Sequence, residues 1–278
     1  MAIVLSLLSA LSYGVSDFLG GIFAKHATPW QIAIAAQTSA SMCALTALAV
    51  VPGSPTWSAV GWGALAGIGG GFGAAFLYRG LSTARMGVVA PISAIGSALL
   101  PVSVGLASGE RPSLWAVVGI VAAFPAIFLI SRVPAGSEVD VAHRGGVVDG
   151  VLAGLGFGVL FVFLDRVGDG SGLTAVAASQ VSSIVVIIVV ATVLRAAWVP
   201  RSRLAWRAVV MGPLGTTAQA AFLLATQQGL LSVVSVISSL YPASTVLLAA
   251  VVLRERILRW QGVGLVLAAL AVTFVALA

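Results

Sequence analysis

Charge is the scarcest property of this sequence. Only 8% of its 278 residues are Asp, Glu, Lys or Arg, against roughly 25% in an ordinary soluble domain, so the chain has no polar shell with which to clothe a water-soluble core. Lysine is almost missing, Lys25 being the only one, and nothing resembles the Gly-rich loop ending in Lys-Ser/Thr that cradles nucleotide phosphates. Cys43 is the only cysteine. That excludes an internal disulfide and a cysteine-held metal or iron–sulfur cluster and leaves Cys43 to pack as a small apolar side chain. His26 and His143 fall in different gaps with no ligand spacing around either, so no metal and no cofactor is expected. The formal net charge of +6 comes from 14 Lys plus Arg against 8 Asp plus Glu. These basic residues sit mainly between apolar runs rather than in a polybasic tract, so nucleic acid is not an expected partner.

What the chain has in abundance is apolar length, with 60% of its residues hydrophobic. A bilayer-spanning helix needs about 20 mostly apolar residues, because the hydrocarbon layer is about 30 Å thick and each residue advances about 1.5 Å. Spans are expected at residues 2–24, 29–51, 58–78, 86–107, 113–131, 147–165, 173–194, 205–226, 231–253 and 259–277. The first begins apolar without the basic region of a secretory signal and runs on to Phe23, which reads as a span rather than a leader. No stretch is left for a separate aqueous domain. The longest polar gap, with Glu138, Asp140, His143 and Arg144, is the natural linker: residues 1–132 form one half, 133–146 the linker and 147–278 the other half.

An internal repeat supports the division. Residues 88–119 align without gaps onto 233–264, an offset of 145, and the identities include Glu110 with Glu255, Arg111 with Arg256, Trp115 with Trp260 and Gly119 with Gly264. Gly14 matches Gly158 and Gln37 matches Gln180 at nearly the same offset. Five spans per half force the second half to start on the opposite membrane face. The expected fold is therefore all-α and integral to the membrane, with ten transmembrane helices as two inverted five-helix repeats. Two equivalent, oppositely oriented halves can close one side while opening the other around a midplane site, which is the logic of a transporter.

Tyr13-Gly14-Val15-Ser16-Asp17-Phe18, Val88-Val89-Ala90-Pro91-Ile92 with Gly109-Glu110-Arg111, and residues 233–242 with Arg254-Glu255-Arg256 resemble the EamA-like branch of the drug/metabolite transporter superfamily across essentially the whole chain. Tyr13 stands where many members carry tryptophan. The resemblance implies a basket of two inverted repeats that exports or imports metabolites, without identifying the metabolite, and termini in the cytoplasm.

Asp17 is the most informative candidate. An ionised carboxylate inside a span costs about 2.5 to 3.5 kcal/mol on insertion scales, so it faces a wet cavity or a partner. It either braces the helix end or binds a proton or a cationic solute directly, in which case transport should depend on pH. With Tyr13 and several serines it shares an arc of about 100° on the first helix. The ninth span carries Ser232, Ser235, Ser238, Ser239, Pro242 and Thr245 on one side, and its counterpart, the fourth, keeps Ser93 and Ser97. Such a face serves equally as cavity lining or as a close-packing surface. Tyr241 and Tyr78 offer aromatic walls. Gln37 and Gln180 either read a polar solute or join helices. Gly63, Gly67 and Gly71 form a ladder for close helix approach. Glu110 and Glu255, each followed by arginine, read as surface anchors or inter-loop pairs.

The expected solute-binding set is Tyr13, Asp17, Gln37, Ser93, Ser97, Gln180, Ser238 and Tyr241, in a cavity lined mainly by spans one, two, four, six, seven and nine. No catalytic residue is expected. An intramembrane enzyme would need paired catalytic groups at depth, yet Asp17 is the only acidic residue well inside a span. A non-transporting scaffold or receptor would have a cavity too small or too apolar for a solute. The expectation is a secondary transporter of the cell membrane, monomeric or homodimeric, whose partners are lipid, a small organic solute and protons. Twelve of the 14 basic residues fall in or beside odd-numbered gaps, and because cationic loops resist translocation this count places both termini outside, against what the resemblance implies.

Overall fold

A computed structural model describes residues 1–23, 27–51, 53–83, 86–132, 143–201 and 203–278. Lys25, His26, Arg85, Glu138 and Asp140 lie outside the described residues, as does most of the 133–146 linker. Helices α1 (Ala2–Phe23), α2 (Pro29–Leu48), α3 (Trp57–Thr83), α4 (Met86–Ala107) and α5 (Leu114–Ile130) form the first repeat. The second comprises α6 (His143–Asp165), α7 (Thr174–Val193), α8 (Arg203–Trp206) running through a 3₁₀ turn at Arg207–Val210 into α9 (Met211–Thr226), then α10 (Leu231–Ser238), α11 (Tyr241–Val252) and α12 (Arg259–Ala276). Among the described residues nine helical runs are long and apolar enough to cross a bilayer, and the tenth, α5, has 17 residues.

The inversion is visible in one helix pair. Gly119 near the start of α5 lies against Ala271 and Val275 near the end of α12, while its repeat counterpart Gly264 near the start of α12 lies against Ala126 and Ile130 near the end of α5. The same residue of each repeat thus makes the same contact with the other, in antiparallel helices, as a pseudo-twofold axis requires. The starts of α4 and α10, Met86 and Leu231, and of α5 and α12, Leu114 and Arg259, differ by the sequence offset itself.

Small residues build the interior, because apolar side chains gain little by leaving lipid and helices associate through close packing and interhelical hydrogen bonds instead. The Gly63, Gly67 and Gly71 ladder seats α3 on Ala175, Ser179 and Ser183 of α7, and Ser183 Oγ donates to the Gly67 carbonyl at 2.8 Å. On another face of α3, Gly69 and Gly73 meet Gly156 of α6. Large apolar side chains point outward: Val4 and Leu11 on α1, Val185 and Val189 on α7, and Val266 on α12 are all exposed. An outward apolar surface of this extent suits hydrocarbon, not water.

Span nine departs from the expected single helix. Pro242 has no N–H to donate and its ring crowds the carbonyl of Ser238, so the helix breaks at Ser239–Leu240 between α10 and α11. Pro91 and Pro101 sit inside α4 without ending it, so the break is confined to one repeat. Helix α6 opens at His143, a few residues into the expected linker.

Candidate functional site

A cavity of about 300 Å³ lies between the two repeats, walled by the late part of α1 (Asp17, Gly20), the early part of α2 (Ile32), the ends of α3 (Tyr78) and α5 (Arg132), and the starts of α4 (Ala90), α9 (Met211), α11 (Tyr241, Pro242) and α12 (Gln261). Apart from the start of α11, which falls midway along span nine, these segments lie toward the membrane face opposite the termini, the far face. Two deeper lobes adjoin it, of about 130 and 50 Å³, and Asp17 and Leu77 line all three. None of the three reaches the loops on the termini face.

Asp17 is exposed to this cavity, on a helix otherwise surrounded by apolar side chains. Tyr13 and Tyr241 meet edge-on with centroids 6.4 Å apart and, with Tyr78, stand on walls that Asp17 shares. The Tyr13 hydroxyl is buried and has no hydrogen-bond partner among the described residues. Among the described lining residues, one carboxylate stands with aromatic rings and hydroxyls, and the cationic group is Arg132, just past the end of α5. Chemically the arrangement can accept a proton or hold a cation against π faces.

The other sequence candidates divide. Gln37 and Gln180 line the second lobe, but they also join each other: the Gln37 amide nitrogen donates to the Gln180 carbonyl oxygen at 3.0 Å and to its side-chain oxygen. Equivalent residues of the two repeats therefore meet near the pseudo-axis, and the bond ties α2 to α7. Ser97 lines the smallest lobe and shares a 3.1 Å hydrogen bond with Ser239. Ser93 and Ser238 are fully buried and line none of the three lobes. The serines of α10 are likewise buried. That face is a packing surface, and only its continuation past the break, at Pro242 and Thr245, reaches the cavity. Spans three, five, eight and ten, absent from the expected lining, contribute Tyr78, Arg132, Met211 and Gln261; most of these stand at span ends, where a helix-long polar stripe gives no signal.

Two other carboxylates make contacts across the bundle. Asp149, near the start of α6, is buried and accepts from Arg79 of α3, with Nε at 2.9 Å; the guanidinium also lies 4.4 Å from the centre of the Phe76 ring. Glu110, expected as a surface anchor or an inter-loop pair, reaches from its turn to the backbone of another. It accepts the backbone N–H groups of Leu231 at 2.7 Å and Ser232 at 3.0 Å, capping α10. Both contacts cross the repeat boundary, and a carboxylate spaced 121 residues from its partner leaves no local pattern.

A basket of ten helices in two inverted halves, enclosing a cavity with one carboxylate, defines a polytopic membrane protein of the solute-carrier kind. The EamA-like transporter family model matches residues 1–132 and again 144–277; the chain belongs to that family, within the drug/metabolite transporter superfamily. A solved crystal structure is similar over 99% of this chain and 96% of its own, with a TM-score of 0.78 and 18% identity, a likeness of fold. No curated protein matches the sequence.

Proposed function

We propose that the chain is a secondary transporter of the cell membrane that moves a small organic metabolite or drug by alternating access, with Asp17 as the group that binds a proton or a cationic solute. The observation that carries the reading is the position of Asp17, exposed in a cavity between two inverted repeats that reaches one membrane face. A lobe of about 300 Å³ is at the lower end of ligand-pocket sizes, which favours a compact solute. The far face carries the odd-numbered loops, where twelve of the basic residues lie; by the positive-inside rule it is cytoplasmic and the cavity faces inward.

Proteoliposomes loaded with panels of labelled cationic, zwitterionic and neutral metabolites test this directly. Flux of at least one solute is expected, rising or falling with the pH difference across the membrane. The Asp17→Asn variant should lose about tenfold or more of that flux together with its pH dependence, since an amide can neither ionise nor exchange protons. Unchanged rate and pH profile in that variant would remove Asp17 from the mechanism.

A further inference from the structure

Helix α10 begins without a cap of its own. Its N-cap residue, Leu230, has no side-chain acceptor, and the first backbone N–H groups of a helix need one. Glu110, from the α4–α5 turn of the other repeat, supplies both carboxylate oxygens to Leu231 and Ser232, a charge-assisted contact that the helix dipole favours. It lies on the termini face, where no cavity is found among the three described, and it binds the α4–α5 turn to span nine across the repeat boundary.

The repeat maps this contact onto a second one. Adding 145 to Glu110 gives Glu255, and subtracting it from Leu231 and Ser232 gives Met86 and Gly87, the first residues of α4. The turn that carries Glu255 is already shaped like its counterpart: Arg254 adopts φ 56°, the left-handed region that Gly109 occupies at φ 94°, a conformation uncommon for a residue with a side chain. Yet Glu255 is exposed and its carboxylate accepts no hydrogen bond among the described residues. The cavity has walls on both sides of that pairing, at Ala90 near the start of α4, at Thr245 and Val246 of α11 and at Gln261 near the start of α12.

We infer that Glu110 and Glu255 are alternating caps. With the far face open, Glu110 caps α10 and holds the termini face shut; when the far face closes, Glu255 caps α4 and Glu110 lets go. The inference rests on the transport reading for its purpose but not for its geometry. The caps are unequal. A Cβ at Gly105 would lie 2.8 Å from the Glu110 carboxyl carbon, and the equivalent position is Ala250, so Glu255 reaches its helix past a methyl group and forms the weaker cap. That imbalance favours the state seen here.

The test uses cysteine reporters in a Cys43→Ala background, in lipid nanodiscs that expose both faces to a membrane-impermeant maleimide. Ser235→Cys sits one turn inside α10 and is fully buried; Ala90→Cys sits on the cavity wall. Glu110→Ala should raise the labelling rate of the Ser235→Cys reporter by about tenfold or more and lower that of the Ala90→Cys reporter, and Glu110→Gln, which keeps one acceptor oxygen, should fall between. Glu255→Ala should leave the Ser235→Cys reporter unreactive. Unchanged reactivity at both reporters in folded Glu110→Ala or Glu110→Gln protein overturns the inference, as does a Glu255→Ala protein that behaves like Glu110→Ala. Labelling needs no transported solute, so a protein that moves nothing sinks the transport reading while leaving this result readable.

Discussion

Helix α4 and the α10–α11 pair occupy equivalent places in the two repeats, begin at equivalent residues and yet pack in different ways. Helix α4 is continuous from Met86 to Ala107 and lies against α6 through several close approaches: Ile92 on Gly150, Gly96 on Gly154 and Leu100 on Gly158. Its counterpart is broken at Ser239–Leu240. It touches α1 at Gly14, the repeat partner of Gly158, where the Tyr241 carbonyl oxygen and the Ser244 side chain close in and Thr245 Oγ1 donates to the Gly14 carbonyl at 3.1 Å. Three residues further along α1, at Asp17, the wall opens into the cavity. Glycine-lined contact along a straight helix makes α4 and α6 one body. A proline-broken helix packed on α1 leaves room for a solute beyond Gly14.

That contrast can be broken from its rigid side. Arg79→Ala would leave the Asp149 carboxylate buried without its arginine at the α3–α6 contact, and removing one partner of a buried ion pair costs about 3 to 5 kcal/mol. The expected result is the largest of the set: little folded protein recovered by size-exclusion chromatography, or a melting temperature in detergent lowered well below that of the parent. An unchanged melting temperature would show that glycine packing alone holds this side together. Gly154→Val comes next. A Cβ there would lie 2.8 Å from the Gly96 Cα, a contact with backbone that no rotamer change relieves, and overpacking of this kind costs about 1 to 3 kcal/mol. The same measurement on Gly21→Ala, where an added Cβ meets nothing within 4 Å, should show no loss, and equal losses at the two sites would dissolve the distinction between packed and open sides.

The broken side sharpens the comparison with a smaller effect on stability. Pro242→Ala restores an N–H able to bond the Ser238 carbonyl, and alanine is favoured over proline inside a helix by about 3 kcal/mol. The protein should be as stable as the parent or more so, with a span nine more like α4. Solute flux in proteoliposomes should fall, because a continuous helix aligns Tyr241 differently on the cavity wall. Undiminished flux would mean that the break plays no part in opening it.

Much of this architecture was legible in the chain. The ten spans, the two halves and the Gly63–Gly67–Gly71 ladder follow from local rules, since hydrocarbon demands about 20 apolar residues per crossing and tolerates close helices only where side chains are small. Asp17 stood out for the same reason, since a carboxylate at that depth needs water or a partner, and it lies on the cavity wall. The serine face of span nine was read with two meanings, and sequence has no means to separate them. A hydroxyl is as useful against a neighbouring helix as against a solute, and only the position of α4 and its Ser97–Ser239 hydrogen bond put that face inside the packing.

Sequence alone determined that two equivalent halves exist, because a repeat of Glu, Trp and Gly at a fixed offset is written in the chain and the odd span count inverts it. Tertiary structure decided which half is latched. Glu110 and Glu255 are identical residues in matching turns, and neither turn by itself says which carboxylate caps a helix and which stands exposed. The difference shows only where Glu110 meets Leu231 and Ser232, more than a hundred residues away; Gly105 in place of Ala250, and a break at Pro242 where α4 is continuous, take their meaning from that contact. Local sequence sets what each segment can do in a bilayer; the small imbalance between two nearly symmetric interfaces sets which face is open.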